Sequence, residues 1–369
     1  MSAAGHREDD EGDGDDNVPD VDPRRAAATL RDAGFVRLVA TADGDALTAA
    51  GLLARGLDSV GTPYQASHSA VPEPPATDAD CTVSIGHPGG DVTLRSGPLA
   101  LDAASILGDL APDALDPELA LAGAVCAGSE PAGRLLERAA LDRRPGVAIP
   151  TDDPIEGLAG STLVHTGFSG DTEATGSTLS ELGDPDGREL ASFLALSVVE
   201  GAPPRAAEAV ERALRPYVTD RFETLGGFAD VLDAAARIQP GIGLALALGN
   251  DVETAAETAW RTHGERAHTA LRTADTGRYD GLYVARVEGV TPELLGTVAR
   301  LAFQYRSPEP IALAATDGAA AAVGETAIEG PLSETAAALE GRSVARDGTG
   351  TAIFEGTPDE FTATFRGVV

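Results

Sequence analysis

An apolar run, an acidic turn and a long small-residue helix occupy residues 35–60, and this segment constrains the fold more than any other. Phe35–Ala40 reads as a β-strand, a turn carrying Asp43 and Asp45 follows, and an apolar helix is predicted from about Ala46 to Val60. A strand feeding a helix through a tight turn is the unit of an α/β sheet. Its turn lies at the carboxyl edge, where open sheets take their ligands. Two carboxylates at i and i+2 there suit a hard cation such as Mg²⁺ or Mn²⁺. The same residues also suit a purely structural role, with Asp45 placed to cap the helix that follows.

The pattern continues as α/β. A helix over Pro23–Ala33 precedes the first strand, and β-like runs recur at Tyr64–Ser67, Cys81–Ile85 and Val92–Arg95. Helices are predicted over Leu101–Leu110, from Asp116-Pro117 to Cys126, and over Ala132–Asp142. Ser161–His165 reads as a strand and Asp171–Leu182 as a helix. Strands alternating with helices imply a mainly parallel sheet. Residues 187–268 are Ala-rich with helical periodicity, and Trp260 falls there as a core or interface residue, as does Tyr305 further on. A second α/β unit begins near Tyr279 with strand Gly281–Val287, a helix from Thr291-Pro292 to Tyr305, and strands Ile311–Ala315, Ala320–Val323 and Thr351–Phe354. Thr357-Pro-Asp-Glu360 is a capping box for a last helix. The expected organisation is an acidic tail over 1–23, an α/β domain over 24–200, a helical connector over 201–275 and a small α/β domain over 276–369.

The formal net charge is −32, all 27 basic residues are arginine, and lysine is absent. A carboxylate surface of this kind keeps a protein hydrated in concentrated salt, as in a halophilic archaeon. At molar salt the Debye length is only ~3 Å, so acidity alone does not exclude nucleic acid. No apolar run approaches the length of a membrane span and the N-terminus is no signal peptide, so a cytoplasmic location is expected. Cys81 and Cys126 lie in apolar contexts as buried thiols, without zinc spacing. No Walker lysine or Gly-x-Gly-x-x-Gly loop is present.

Thr41-Ala-Asp-Gly-Asp-Ala46 and the following Leu47–Leu57 helix resemble the first motif of the DHH phosphoesterases, the archaeal RecJ-like proteins above all. Leu163–Thr175 and Gly227–Arg237 are similar to further segments of archaeal members. The resemblance implies a DHH-type α/β domain with a mainly parallel sheet, a helical connector and a smaller C-terminal α/β domain. It also implies two Mn²⁺ or Mg²⁺ ions held by Asp and His ligands. Here Thr41 stands at the position of the first His. Gly86 follows the strand that should present an Asp, Ser96-Gly97-Pro98 replaces the Asp-His-His signature, and Ala127 stands at the fourth Asp position. Gly341–Gly350 replaces the Gly-Gly-His loop and contains no His.

Asp43 and Asp45 therefore read as a vestigial or weak metal site, with no confident catalytic residue and no resident cofactor expected. His87 reads as a polar loop residue. The Thr166–Asp171 turn offers Ser169 and Gly170 as a phosphate contact at a helix N-terminus. The resemblance implies a catalytically degenerate subunit associated with DNA replication or repair, a partner of GINS or of the replicative helicase. The alternative is an active metal-dependent 5′–3′ exonuclease or phosphodiesterase on single-stranded DNA or RNA, with Mn²⁺ or Mg²⁺ as cofactor.

Overall fold

A computed structural model describes residues 21–72, 78–183, 185–199 and 202–369. The expected acidic tail lies outside the described residues up to residue 20, as does the expected domain boundary at 200–201. Helix α1 (Pro23–Asp32) leads into β1 (Val36–Thr41), α2 (Gly44–Val60), β2 (Tyr64–Ser69), β3 (Cys81–Ile85) and β4 (Val92–Leu94). These four strands form a wholly parallel sheet of order β2-β1-β3-β4, so the turns after β1, β3 and β4 share one carboxyl edge. Asp43 is the N-cap of α2 and Gly61 its left-handed C-terminal cap. Most of α2 is buried because α3 (Leu99–Leu110) and α4 (Pro117–Cys126) cover it.

Helices α5 (Gly133–Ala139), α6 (Pro154–Gly160), α7 (Thr172–Leu182), α8 (Gly187–Val199) and α9 (Arg205–Ala213) follow. Then come α10 (Leu225–Ile238), α11 (Pro240–Ala247) and the long α12 (Glu253–Thr273). Residues 161–165 have no strand structure, against expectation. The segment turns a corner under α12, where its polar groups bond to side chains rather than to a neighbouring strand. Trp260 is fully buried and Tyr305 nearly so, as core residues.

The chain ends in a six-stranded sheet of order β5-β6-β7-β8-β10-β9. Its strands are β5 (Asp275–Tyr279), β6 (Leu282–Arg286), β7 (Ile311–Thr316), β8 (Ala319–Gly324), β9 (Arg342–Arg346) and β10 (Thr349–Ile353). Only β6 and β7 pair in parallel. A 3₁₀ turn at Pro292–Leu294 and α13 (Leu295–Tyr305) pack against this sheet, with α14 (Glu329–Ala338) and α15 (Pro358–Phe365), which carries the expected capping box. Sequence reading missed β5, β9 and α14. The β9–β10 hairpin turns on Asp347-Gly348, both at positive φ (50° and 71°), as a two-residue turn of the I′ kind requires.

Close backbone approach positions the central helices. A Cβ on Gly264 of α12 would lie 1.9 Å from the carbonyl oxygen of Gly160, the last residue of α6. Neither backbone can yield without repacking the Trp260 layer, whose ring itself lies against Gly160. Gly264→Ala is expected to cost about 3 kcal/mol of unfolding free energy. Chemical denaturation checks this, and a loss well under 1 kcal/mol would contradict the backbone contact.

Candidate functional site

The turns at the carboxyl edge of the parallel sheet meet the tip of the β9–β10 hairpin. Asp43 accepts the Ala46 N–H (3.0 Å) and the Thr41 hydroxyl (2.7 Å). It is therefore Asp43, not Asp45, that caps α2. Asp45 is 1% exposed and reaches across to α3, accepting Leu99 N–H and Ala100 N–H at 2.9 Å each. Pro98, at the N-cap of α3, has no side-chain acceptor, so Asp45 serves orphan donors that Pro98 leaves open.

Between the two carboxylates lies the guanidinium of Arg346. Its Nη2 is 3.2 Å from Asp43 Oδ1 and 3.2 Å from Asp45 Oδ2. Its Nη1 donates to the Gly97 carbonyl at 3.4 Å, while Asp347 accepts the Gly97 N–H at 3.1 Å. The Ser96-Gly97-Pro98 stretch, where the Asp-His-His signature was expected, thus receives the hairpin tip. Burial is the largest influence on Arg346 and opposes its charge, but Asp43, Asp45 and Asp347 hold its pKa above the ordinary value. Burial, partly offset by Arg346 and reinforced by the Asp43 charge, pushes Asp45 up to about 6. For Asp43, burial is outweighed by Arg346, the Ala46 N–H and the Thr41 hydroxyl, and its pKa falls below the ordinary value.

The other degenerate positions converge here as well. Thr41, Asp43, Gly86, Gly97, Pro98, Ala127 and Arg346 line one cavity of about 410 Å³. A Cβ at Gly86 would stand 2.2 Å from Thr41 Oγ1, so the threonine fills the space that a larger residue at 86 needs. Ser96 is exposed and outside that lining. Helix α10 adds two residues that sequence reading did not single out. Asp233 accepts the Gly44 N–H at the start of α2 (3.0 Å) and pairs with Arg237 (2.9 Å). The signal was present as Asp-x-x-x-Arg spacing within the Gly227–Arg237 segment, one turn apart on one helix face. On the same helix the buried Asp230 accepts the Thr162 N–H, the Thr162 hydroxyl and the Trp260 indole N–H.

This donor set does not fit a two-metal centre. Asp43 and Asp45 direct their oxygens to backbone N–H groups, a hydroxyl and a guanidinium. Among the described residues no three His, Cys, Asp or Glu side chains are grouped to hold an ion. His87 lies in the loop after β3 and is buried, with Nε2 3.0 Å from the Val39 carbonyl and Nδ1 3.0 Å from the Pro88 carbonyl. Ser169 is buried and Gly170 half-buried: the Ser169 hydroxyl accepts the Thr166 N–H, and the Gly170 N–H donates to the Ala159 carbonyl. Asp171 caps α7.

His165 belongs to a buried relay. Arg306 donates to His165 Nε2 (3.0 Å), which makes Nδ1–H the donor to His268 Nδ1 (2.9 Å); His268 Nε2–H then donates to the Ser161 carbonyl (2.9 Å). Burial first, then neighbouring positive groups, lowers His165 from 6.5 to about 3. Burial likewise lowers His268 to about 4 and His263, bonded to Thr297, to about 3.

Two outcomes follow for this region. Arg346→Ala leaves a buried carboxylate without its cation and is expected to lower the unfolding free energy by about 3–5 kcal/mol; denaturant titration checks it, and unchanged stability would contradict the pairing. The histidines are neutral in the fold, so their stabilisation is complete above the unfolded value of 6.5 and is lost as pH falls towards 3–4. His263→Gln should remove about 1.4 kcal/mol per pH unit from the slope of stability against pH below 6.5. An unaltered slope would show that His263 is not held neutral.

A family model described as "Uncharacterized protein rrnAC1427, C-terminal domain" matches residues 274–367. Uncharacterized protein rrnAC1427 of Haloarcula marismortui is 46% identical over 326 residues, covering 84% of this chain and 86% of the relative. Among solved structures, Thermus thermophilus RecJ in complex with Mg²⁺ is 17% identical with a TM-score of 0.52, covering 94% of this chain; the chain spans about half the length of that RecJ (52%). CDC45 from Entamoeba histolytica is 9% identical with a TM-score of 0.52, covering 94% of this chain and 98% of CDC45. At these identities the structural likenesses establish the fold. The chain belongs to the family of the Haloarcula marismortui protein rrnAC1427 and has a RecJ-like fold.

Proposed function

We propose that this protein is a non-catalytic RecJ-like subunit acting in DNA replication or repair, with a GINS-type or replicative-helicase assembly as its partner. The observation that carries the non-catalytic part is the Arg346 guanidinium seated 3.2 Å from both Asp43 and Asp45. Two-metal phosphodiester hydrolysis needs cations with open coordination positions, which polarise the phosphate and activate a water. A guanidinium offers positive charge and N–H donors, but it cannot ligate water or lower its pKa by coordination. The family resemblance of the motifs and the CDC45-like fold support the replication role.

Labelled single-stranded DNA incubated with the protein and Mn²⁺ is expected to remain intact, and neither Mn²⁺ nor a chelator should move the melting temperature. Cleavage that disappears in an Asp43→Ala, Asp45→Ala double variant would establish the exonuclease alternative instead. Affinity purification from the native host should recover replisome subunits; recovery of none would remove the replication role while leaving the non-catalytic reading intact.

A further inference from the structure

A second cavity, of about 830 Å³, opens beside the first and shares Cys126, Gly128, Ser129, Asp233, Arg300 and Gln304 with it. Its walls come from α8, α9 and α10 and from the segments around 143–148 and 214–217. The interior is aliphatic, with Leu163, Ala191, Ala195, Ala209 and Leu225 among its lining residues. The mouth has the opposite character to the rest of the chain. Arg143, Arg188, Arg212 and Arg215 line it, all exposed, and Glu130 and Glu211 are the exposed carboxylates among the lining residues. Over the whole protein 59 carboxylates face 27 arginines, so an arginine-rich mouth departs from that balance. Among the described residues, none of the four arginines forms an ion pair, and Arg143 lies over the Tyr217 ring at 4.5 Å.

The backbone also fixes the position of one of these arginines. Arg215 has φ of +55°, a conformation that non-glycine residues seldom adopt. Its N–H donates to the Gly146 carbonyl, and it lies between the Leu214–Val147 and Tyr217–Arg143 bridges, so the backbone fixes where this arginine emerges. Strain of this kind at an exposed cleft is associated with function.

We propose that this cleft binds an acidic, aliphatic peptide segment of a partner protein. Its carboxylates would pair with Arg188, Arg212 and Arg215, for which the planar guanidinium is geometrically suited. Its aliphatic side chains cover the alanine and leucine interior. Nucleic acid is the less suitable occupant, because base stacking draws on several aromatic faces and the lining offers a single ring, Tyr217, with Arg143 over one of its faces. Exposed ion pairs weaken as salt rises, whereas the apolar contact does not, so a peptide with both elements stays bound in concentrated salt. None of these arginines touches Asp43 or Asp45, and the proposal does not depend on the non-catalytic reading.

The test uses the full chain and a fluorescein-labelled peptide of roughly ten residues in which Asp alternates with Leu, long enough to span a cleft of this size when extended. Fluorescence anisotropy should show binding, and a twin peptide with Asn in place of Asp should bind at least about tenfold more weakly. An Arg188→Ala, Arg212→Ala, Arg215→Ala variant should lose roughly a hundredfold in affinity. Ser192→Trp, on the exposed face of α8, should block the cleft without removing charge. Equal binding of the two peptides overturns the proposal, as does unchanged affinity in both variants. Binding of labelled oligodeoxythymidine at the same arginines, with no binding of the acidic peptide, overturns it in favour of nucleic acid.

Discussion

The contact of Arg346 with Asp43 and Asp45 joins the two ends of the molecule. Asp45 is almost without solvent, and an ionised carboxylate there is tolerable only if its oxygens are fully served. Two backbone N–H groups from the first turn of α3 and one guanidinium serve them. Each partner depends on the others. Helix α3 starts at a proline with no side-chain acceptor, so it needs Asp45, and the hairpin tip is held at Gly97 from both sides, by Arg346 and Asp347. A single arginine thereby links the turn after β1, the entry to α3 and the last β-hairpin.

That arrangement requires α10 to approach the start of α2 closely. A Cβ on Gly44 would stand 2.8 Å from the Asp233 Cα and 2.7 Å from the Cys126 sulfur. Glycine at this position lets Asp233 accept the Gly44 N–H, and so places a carboxylate at the positive end of the α2 dipole. Elsewhere α2 meets α11 through Gly51 and Ala247, with a built Cβ only 2.4 Å away. The abundance of glycine and alanine therefore has a packing consequence: backbones lie close enough for short side chains to bridge between helices.

The strands and most helices of the parallel sheet were legible because long periodic runs and proline or aspartate caps mark them locally. Thr41, Gly86, Gly97 and Ala127 were legible as departures from a motif, and they do gather at one cavity. The role of Asp45 was not legible, since its partners lie 54 and 55 residues away and one-dimensional spacing suggests only its own helix. Arg346 was hidden for a related reason. Its strand is short, and its carboxylate partners are 303 and 301 residues distant. The strand expected at 161–165 failed because an apolar run buried under a helix reads like a strand until its hydrogen-bond partners are known. Asp230 and His268, which supply some of those partners, lie far along the chain.

The departures from the metal-binding pattern are mutually reinforcing. A side chain restored at 86 collides with Thr41 Oγ1, and it must also adopt the positive φ that Gly86 holds. A ligand restored at 41 removes the hydroxyl that donates to Asp43. A ligand restored at 97 faces the Gly97 N–H and carbonyl contacts of the hairpin, and any cation entering between Asp43 and Asp45 must first displace Arg346. No single substitution towards the motif creates a metal site, because each position is packed or hydrogen-bonded to suit the others. Removing the arginine between the two carboxylates would leave a buried charge unpaired, so the packing around Asp45 depends on it.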